Sequence, residues 1–535
     1  MIREVKQYSA GESFMSSALL DEYWSGDPFL RPFYKHALTW DSFDAAMQYR
    51  DRSGTDRETL AQELEHQHQA FSEQFPLVRS NIDALRRSDC YTVTTGHQLC
   101  LATGPMFFLY KIITTINLCK ELSKRHPGKH FVPVYWMATE DHDIAEIDHF
   151  QVNGQTLRAN SAWHGPSGRQ TVEELTPLWD ELQTLLKGKP NAEQVVERFR
   201  WAYGSTSSSL ADSTRALVLG LFGEEGLLVI DADRPVFKKM FVSVLRQELF
   251  GGTARAVVGE VIDRMQVRHK AQVHVRELNL FYLHGHRRDR IERVEDGSFK
   301  VVDTDLTFSA EQIDEMLTRN PERFSPNVIL RPLYQESILP DVATVGGPAE
   351  VAYWMLLLPL FELYGIPFPV LVPRNQALLL PGKAFDKFLR QGFNPEEVFL
   401  PAEELTARWL SRNEQLQPSI EKARKHMTEI FESIVGLLSG IDATLESSVR
   451  AEAQRSMNGL DQLERKGIAA LKRRHELALA QIRSIAERVK PLGSPQERIE
   501  NFSGFASEYG AEALVKGLLD VLKPLDPRFT LLVME

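Results

Sequence analysis

Between Tyr91 and Met137 the chain reads strand, helix, strand, and no other run restricts the fold as much. Tyr91-Thr92-Val93-Thr94-Thr95 is rich in β-branched residues and stops at Gly96, as a short strand ending in a turn does. A helical pattern follows from about Pro105 to Arg125, with Phe108, Ile112, Ile116 and Leu122 among its apolar positions. Proline suits a first helical turn. Phe131–Met137 then reads as a second apolar strand. Two short strands joined by a crossover helix pair in parallel, with a right-handed connection.

The same grammar recurs later. Val328-Ile329-Leu330 reads as a strand, Gly346-Gly347-Pro348-Ala349-Glu350 opens a helix running to about Tyr364, and Val370-Leu371-Val372 is another strand. Leu227–Asp231 is a further apolar strand between the two units, and Asp296-Gly297 marks a hairpin insertion. The expected fold class is α/β: a doubly wound, parallel-sheet core with insertions. Beyond it, Ile420, Ala423, Met427, Ile430, Ile434, Leu437 and Ile441 follow alternating steps of three and four, and Leu471, Ala478, Ile482, Ile485 and Val489 keep a similar register. Such spacing predicts two long helices in an antiparallel coiled coil, reversed near Ser456-Met457-Asn458-Gly459. The chain of 535 residues is too long for one core. Its predicted parts are a core over 1–390 (with 150–330 as the inserted, connecting region), a coiled-coil arm over 391–490, and a tail over 491–535 that packs back on the core.

Charge narrows the partners. A net charge of -11 disfavours nucleic acid. The basic run His284–Arg290 reads as a solvated turn rather than a phosphate patch. Three cysteines, with no CxxC, fit reduced thiols in a cytoplasmic protein, and the N-terminus lacks the apolar run of a signal peptide. Tyr353–Val372 is the most apolar stretch, but Glu362 and prolines 359, 367 and 369 make it a buried helix and strand rather than a membrane span.

In open parallel sheets ligands bind at the carboxyl ends of strands, and three loops qualify. The first holds Gly96, His97 and Gln98, with Lys111 in the helix behind it. The second is Glu140-Asp141-His142-Asp143, the densest polar cluster in the chain. A carboxylate beside a histidine sets its tautomer and raises its basicity; an acidic N-cap is the plainer reading. The third is Gly346-Gly347 with Glu350, where backbone amides at a helix start favour an anion. Arg331 and Arg374 stand near strand ends and read either as two-point carboxylate ligands or as surface ion pairs. Lys111 either reaches an anion or extends to solvent. Cys100 is more simply a small core residue than a nucleophile. Neither HExxH nor CxxC supports a metal site, and no Walker or complete GxGxxG motif is present.

Three groups of motifs, taken together, resemble the BshC family, the cysteine ligases of bacillithiol biosynthesis. They are Thr95-Gly96-His97-Gln98 with Thr103-Gly104-Pro105 and Tyr110-Lys111; Pro133–Trp136 with Glu140-Asp141-His142-Asp143; and Ser325–Val328, Leu330-Arg331-Pro332, Gln335-Glu336, Leu339-Pro340, Gly346–Glu350 and Tyr353-Trp354. Gln496-Glu497-Arg498 after the arm belongs to the same resemblance. It implies a Rossmann-like core with connecting insertions, a coiled-coil arm used in homodimerisation, and addition of L-cysteine to glucosamine-malate. His97 stands where the family pattern has Gln, which moves the expected general base to His142, with Asp141 beside it and His97 secondary. Amide formation from a free carboxylate needs activation, so ATP with Mg2+ is expected. Asp141 and Glu140 would then hold the cysteine ammonium or the magnesium, with Asp143, Gly96, Gln98 and Arg331 also binding substrate. Lys111, Gly346 and Gly347 would hold phosphate or oxyanion, and Arg374 the malate carboxylates. A metal-dependent hydrolase using the His and Asp cluster, and a coiled-coil scaffold with a metabolite-sensing pocket, are the competing expectations.

Overall fold

The computed structural model describes residues 2–9, 17–204, 207–414 and 416–535. Its centre is a five-stranded sheet of β1 (Cys90–His97), β2 (His130–Met137), β3 (Leu228–Asp231), β4 (Asp341–Gly346) and β5 (Val370–Pro373). The strand order is β5-β4-β1-β2-β3, with every neighbouring pair parallel. Helix α1 (Phe107–Arg125) links β1 to β2. From β1 to Thr95 the side chains are buried throughout, as a strand covered on both faces requires.

The second unit differs from the sequence expectation in its first strand. Val328–Leu330 is a turn into helix α2 (Arg331–Ile338). Asn327 Oδ1 accepts from Ile329 N at 2.9 Å, and Asn327 O accepts from Arg331 N at 2.8 Å. That side-chain bond offers the backbone a turn in place of a ladder, while Ile329 and Leu330 bury as the helix enters. The strand is Asp341–Gly346 instead. Arg331 therefore begins a helix rather than ending a strand. Past Gly346 the expected single helix is two, α3 (Pro348–Met355) and Leu358–Tyr364. Pro359 lacks the N–H that would continue the first.

The hairpin insertion belongs to a five-stranded sheet, Thr307–Phe308, Phe299–Val301, Arg287–Arg293, Leu280–His284 and Phe324–Pro326 in that order, and all its pairings are antiparallel. Gly297 takes φ 83° in its turn, a conformation glycine adopts without strain. The basic run expected as a solvated turn lies largely on a strand of this sheet, and Arg288 is buried. Cys90, Cys100 and Cys119 are free and buried.

The chain divides into two compact units, Met1–Leu379 with Pro495–Glu535, and Leu380–Ser494. In the second, α4 (Leu416–Ser439) and α5 (Leu445–Arg474) pair antiparallel, and α6 (Glu476–Val489) follows. Arg424 bonds Asp461 at 2.7 Å and Glu464 at 3.2 Å, and Arg450 approaches Glu432 at 3.3 Å. The reversal lies at 440–444, not at Ser456–Gly459, which sit inside α5. Asp442 Oδ1 accepts from Thr444 N and Oγ1 at 2.9 and 2.8 Å, the local bonding that favours a turn. A helix-interior glycine costs only about 1 kcal/mol relative to alanine. Gly459 has open space around its α-carbon and no positive φ. Gly459→Ala should therefore stabilise the helix by up to about 1 kcal/mol and Gly459→Pro destabilise it by about 3 kcal/mol, read by urea unfolding followed at 222 nm.

At the base of this unit Glu397 accepts from Arg412 at 2.7 Å and Arg408 at 3.0 Å. The Arg412 bond leads in holding its carboxyl down from the ordinary 4.5 to about 2. A depressed carboxylate stabilises above its unfolded value and loses that contribution as pH falls through its folded one. Unit stability should thus fall between about pH 4.5 and 2, and Glu397→Gln should flatten that part of the pH profile.

Candidate functional site

From β1 the sheet grows one way through β2 to β3 and the other way through β4 to β5. Right-handed crossovers in opposite directions put α1 and α3 on opposite faces. The carboxyl ends of β1 and β4 adjoin at the topological switch point, the place where such sheets bind ligands. Gly96 and Gly346-Gly347 meet there. A β-carbon on Gly346 would come within 3.0 Å of Glu350 Cβ, and one on Gly347 within 3.3 Å of Glu350 Oε2. The backbone lies that close because no side chain intervenes.

Three cations converge on this point. Lys111 is 3% exposed; its Nζ donates to Gly96 O at 2.8 Å and pairs with Glu350 Oε2 at 2.5 Å. Burial lowers its pKa, against the opposing pull of Glu350. The same Glu350 oxygen accepts from Gly347 N at 2.8 Å, so a carboxylate already sits on the helix start. Arg374 N donates to Gly346 O at 2.9 Å. Its guanidinium grips Glu497 with two bonds of 2.5 and 3.1 Å and lies 5.2 Å from the Phe107 ring centre. Arg331 donates to Gln335 Oε1 at 3.1 Å and to Tyr353 OH at 3.3 Å.

Of the buried nitrogens that have no partner among the described residues, two lie here: Arg374 Nε and His97 Nε2. Arg374 Nε stands 3.7 Å from where a Gly347 β-carbon would be. The His97 ring packs on Phe107 and Phe108 at 5.2 and 5.4 Å. Burial, then Lys111 and Arg374, hold its pKa well below the ordinary value, so it stays neutral near pH 7. Orphaned buried donors are rare, and a bound anion would satisfy Arg374 Nε.

The second loop adjoins the first through one bond, Gln98 Nε2 to Asp141 Oδ2 at 2.7 Å. Here the acids are partly spoken for. Fully buried Lys238 pairs with Glu140 and donates to Phe324 O at 2.7 Å. Asp141 Oδ1 accepts from His142 N at 2.9 Å, and Asp143 is exposed. Arg288, from the antiparallel sheet, donates Nη1 to His142 Nδ1 at 3.0 Å, Nε to Ser325 Oγ at 2.9 Å and Nη2 to Pro326 O at 2.9 Å. Burial lowers the His142 pKa, and Arg288 adds to the effect. All three loops thus form one continuous polar surface across β4, β1 and β2. Lys238, Arg288 and Glu497 are the members that sequence reasoning did not assign. Lys238 had a signal, because it lies on the same helical stripe as buried Phe241 and Leu245.

Residues 4–375 match the model for the N-terminal Rossmann-like domain of the bacillithiol biosynthesis protein BshC, and residues 377–534 the model for its C-terminal coiled-coil domain. The chain belongs to the BshC family. A BshC from Flavobacterium psychrophilum is 36% identical over 519 residues, covering 96% of this chain and 97% of that protein. One from Flavobacterium johnsoniae is 36% identical over 518 residues, with coverage of 96% and 97%. One from Bacillus cytotoxicus is 27% identical over 518 residues, with coverage of 92% and 94%. Each bears the name "Putative cysteine ligase BshC". In BshC terms, the switch point, the acid and histidine loop and Arg288 all fall within the matched Rossmann-like domain, and the Arg374 partner Glu497 falls within the matched C-terminal domain. Among the described residues no helix is long and apolar enough to cross a membrane.

Proposed function

We propose that this member of the family is a ligase of bacillithiol biosynthesis that joins the carboxyl of L-cysteine to the amine of glucosamine-malate. The observation that carries the reading is the convergence of Lys111, Arg331 and the unpartnered Arg374 Nε on the glycines of the switch point, one hydrogen bond from an acidic loop. Anionic and ammonium-bearing groups would thus find opposite charges side by side. Arg331 and Arg374 would hold the malate carboxylates. Lys111 and the Gly346 and Gly347 amides would hold phosphate or oxyanion, with Glu350 giving up its place to the incoming anion. Asp141 and Asp143 would hold the cysteine ammonium or magnesium. Glu140, neutralised by Lys238, would shape that wall.

ATP with Mg2+, when bound, would supply activation of the cysteine carboxylate, and the same cation cluster suits its phosphates. The amine must shed a proton on forming the amide. His142 Nδ1 already accepts from Arg288, so Asp141 is the better placed acceptor. Lys238 on Glu140 and Arg288 on His142 also put fixed cations where a metal-dependent hydrolase would need free ligands.

Along the arm, Ile430, Ile434, Leu437 and Ile441 are 57%, 37%, 69% and 75% exposed. This stripe is the proposed homodimer face. Ile434→Asp with Leu437→Asp should convert a dimer to a monomer in light scattering; an unchanged mass would remove the assignment. The reaction itself is tested by mass spectrometry of purified protein with cysteine and glucosamine-malate. Bacillithiol is expected only with Mg-ATP. Product without nucleotide would discard the activation scheme, and no product under either condition would reject the ligase reading for the isolated protein.

A further inference from the structure

Arginine has no acceptor atom. At 3.0 Å from Arg288 Nη1, His142 Nδ1 must therefore supply the lone pair, and in the neutral ring the proton then sits on Nε2. Arg288 cannot easily turn away. It is buried, its other nitrogens are tied to Ser325 Oγ and Pro326 O, and its guanidinium lies 4.0 Å from the Phe281 ring centre. Phe281 also packs against the imidazole at 5.4 Å. The remaining charged neighbours of His142 are Asp141, whose Oδ1 is 3.8 Å from Nδ1, and Asp143 and Asp289. The His142 side chain is 42% exposed, and among the described residues no hydrogen bond to Nε2 is present.

We infer that Arg288 is a positioning residue that locks His142 in the Nε2–H tautomer, so that His142 meets substrate as a hydrogen-bond donor and not as the general base. The inference rests on the ligase reading for what that donor does. As the amine adds to the activated cysteine carbonyl, the new C–N bond forms and the carbonyl π pair moves onto oxygen. His142 Nε2–H donates to that oxygen. Collapse restores the carbonyl and expels the activating phosphate or nucleotide, and the amine proton passes to Asp141. The antiparallel sheet thereby has a part in the site: it delivers Arg288 and Phe281 to a loop of the parallel one.

The test is 15N NMR of the intact, uniformly 15N-histidine-labelled protein near pH 7, with His142 assigned by comparison with His142→Gln. His142 Nδ1 is expected at the unprotonated, pyridine-like shift and Nε2 at the protonated, pyrrole-like one. The reverse pattern, or an averaged pair, overturns the inference without any variant of Arg288 having to fold. In Arg288→Met the two shifts should average, because nothing then holds the ring proton on Nε2; unchanged shifts also overturn it. In turnover, Arg288→Met should lower kcat at least tenfold with KM little changed, and much less in a His142→Gln background. Equal losses in both backgrounds would reduce Arg288 to a structural role. The NMR pattern needs no substrate, so it stands or falls apart from the ligase reading.

Discussion

Glu497→Ala should lower the unfolding free energy by about 3–5 kcal/mol, the usual cost of stripping one partner from a buried ion pair. The Arg374 and Glu497 side chains are 3% and 1% exposed. Without Glu497 the guanidinium keeps Asn375 O but loses both carboxylate bonds. Glu497 also accepts from Ala377 N. Next to it, Gln496 exchanges two bonds with the backbone of Leu379, at 2.8 and 3.1 Å. The segment after the arm is thus stitched to the strand end that carries Arg374. Glu497→Gln keeps the shape and one acceptor and should lose less. Equilibrium urea unfolding reads the difference; a loss under 1 kcal/mol for the alanine variant would mean that the pair is not buried as described.

The second large effect concerns Lys111. Lys111→Met should reduce kcat/KM by about 10²–10³-fold, the range found when a preorganised donor to developing negative charge is removed. Lys111 joins the two sides of the switch point, bonding Gly96 O on β1 and Glu350 on α3. Its removal also leaves Glu350 with Gly347 N as its remaining bond at the switch point. Because the Glu350 side chain is 27% exposed, solvent softens the stability cost, and activity should fall much further than stability. Turnover within threefold of wild type would show that Lys111 only supports the loop.

The parts of the molecule that were legible in the sequence are those with local causes. β1, α1 and β2 declare themselves by a β-branched run, an apolar stripe at helical spacing and a second apolar run. The three loops at strand ends follow from that topology, and the structure brings Gly96, Gln98, Lys111, Glu140, Asp141, His142, Arg331, Gly346, Gly347, Glu350 and Arg374 into one neighbourhood.

What stayed hidden depends on partners far along the chain. Asp341 opens a fully buried strand because Thr92 and Thr94 donate to it at 2.5 and 2.6 Å. A reader of the local sequence sees a charge and looks for the strand at Val328–Leu330. Arg288 looks solvated within its basic run until a second sheet carries it to His142. Glu497 lies 123 residues from Arg374, and no local pattern joins them. In the arm, a glycine inside α5 resembled a break, while the true reversal rests on one aspartate side chain.

In the proposed reaction the switch-point cations bind the anionic end of the acceptor substrate. Arg331 tests it most cleanly, since its hydrogen bonds are to the neutral groups of Gln335 and Tyr353, and the fold loses little with it. The measurement is calorimetric titration of glucosamine-malate into Arg331→Met and wild-type protein at equal ionic strength. Loss of one charge-assisted contact, about 1.5–3 kcal/mol, should weaken binding about 10- to 150-fold with an unchanged unfolding midpoint. Equal affinities in a folded variant would contradict the claim and place the acceptor elsewhere on the protein.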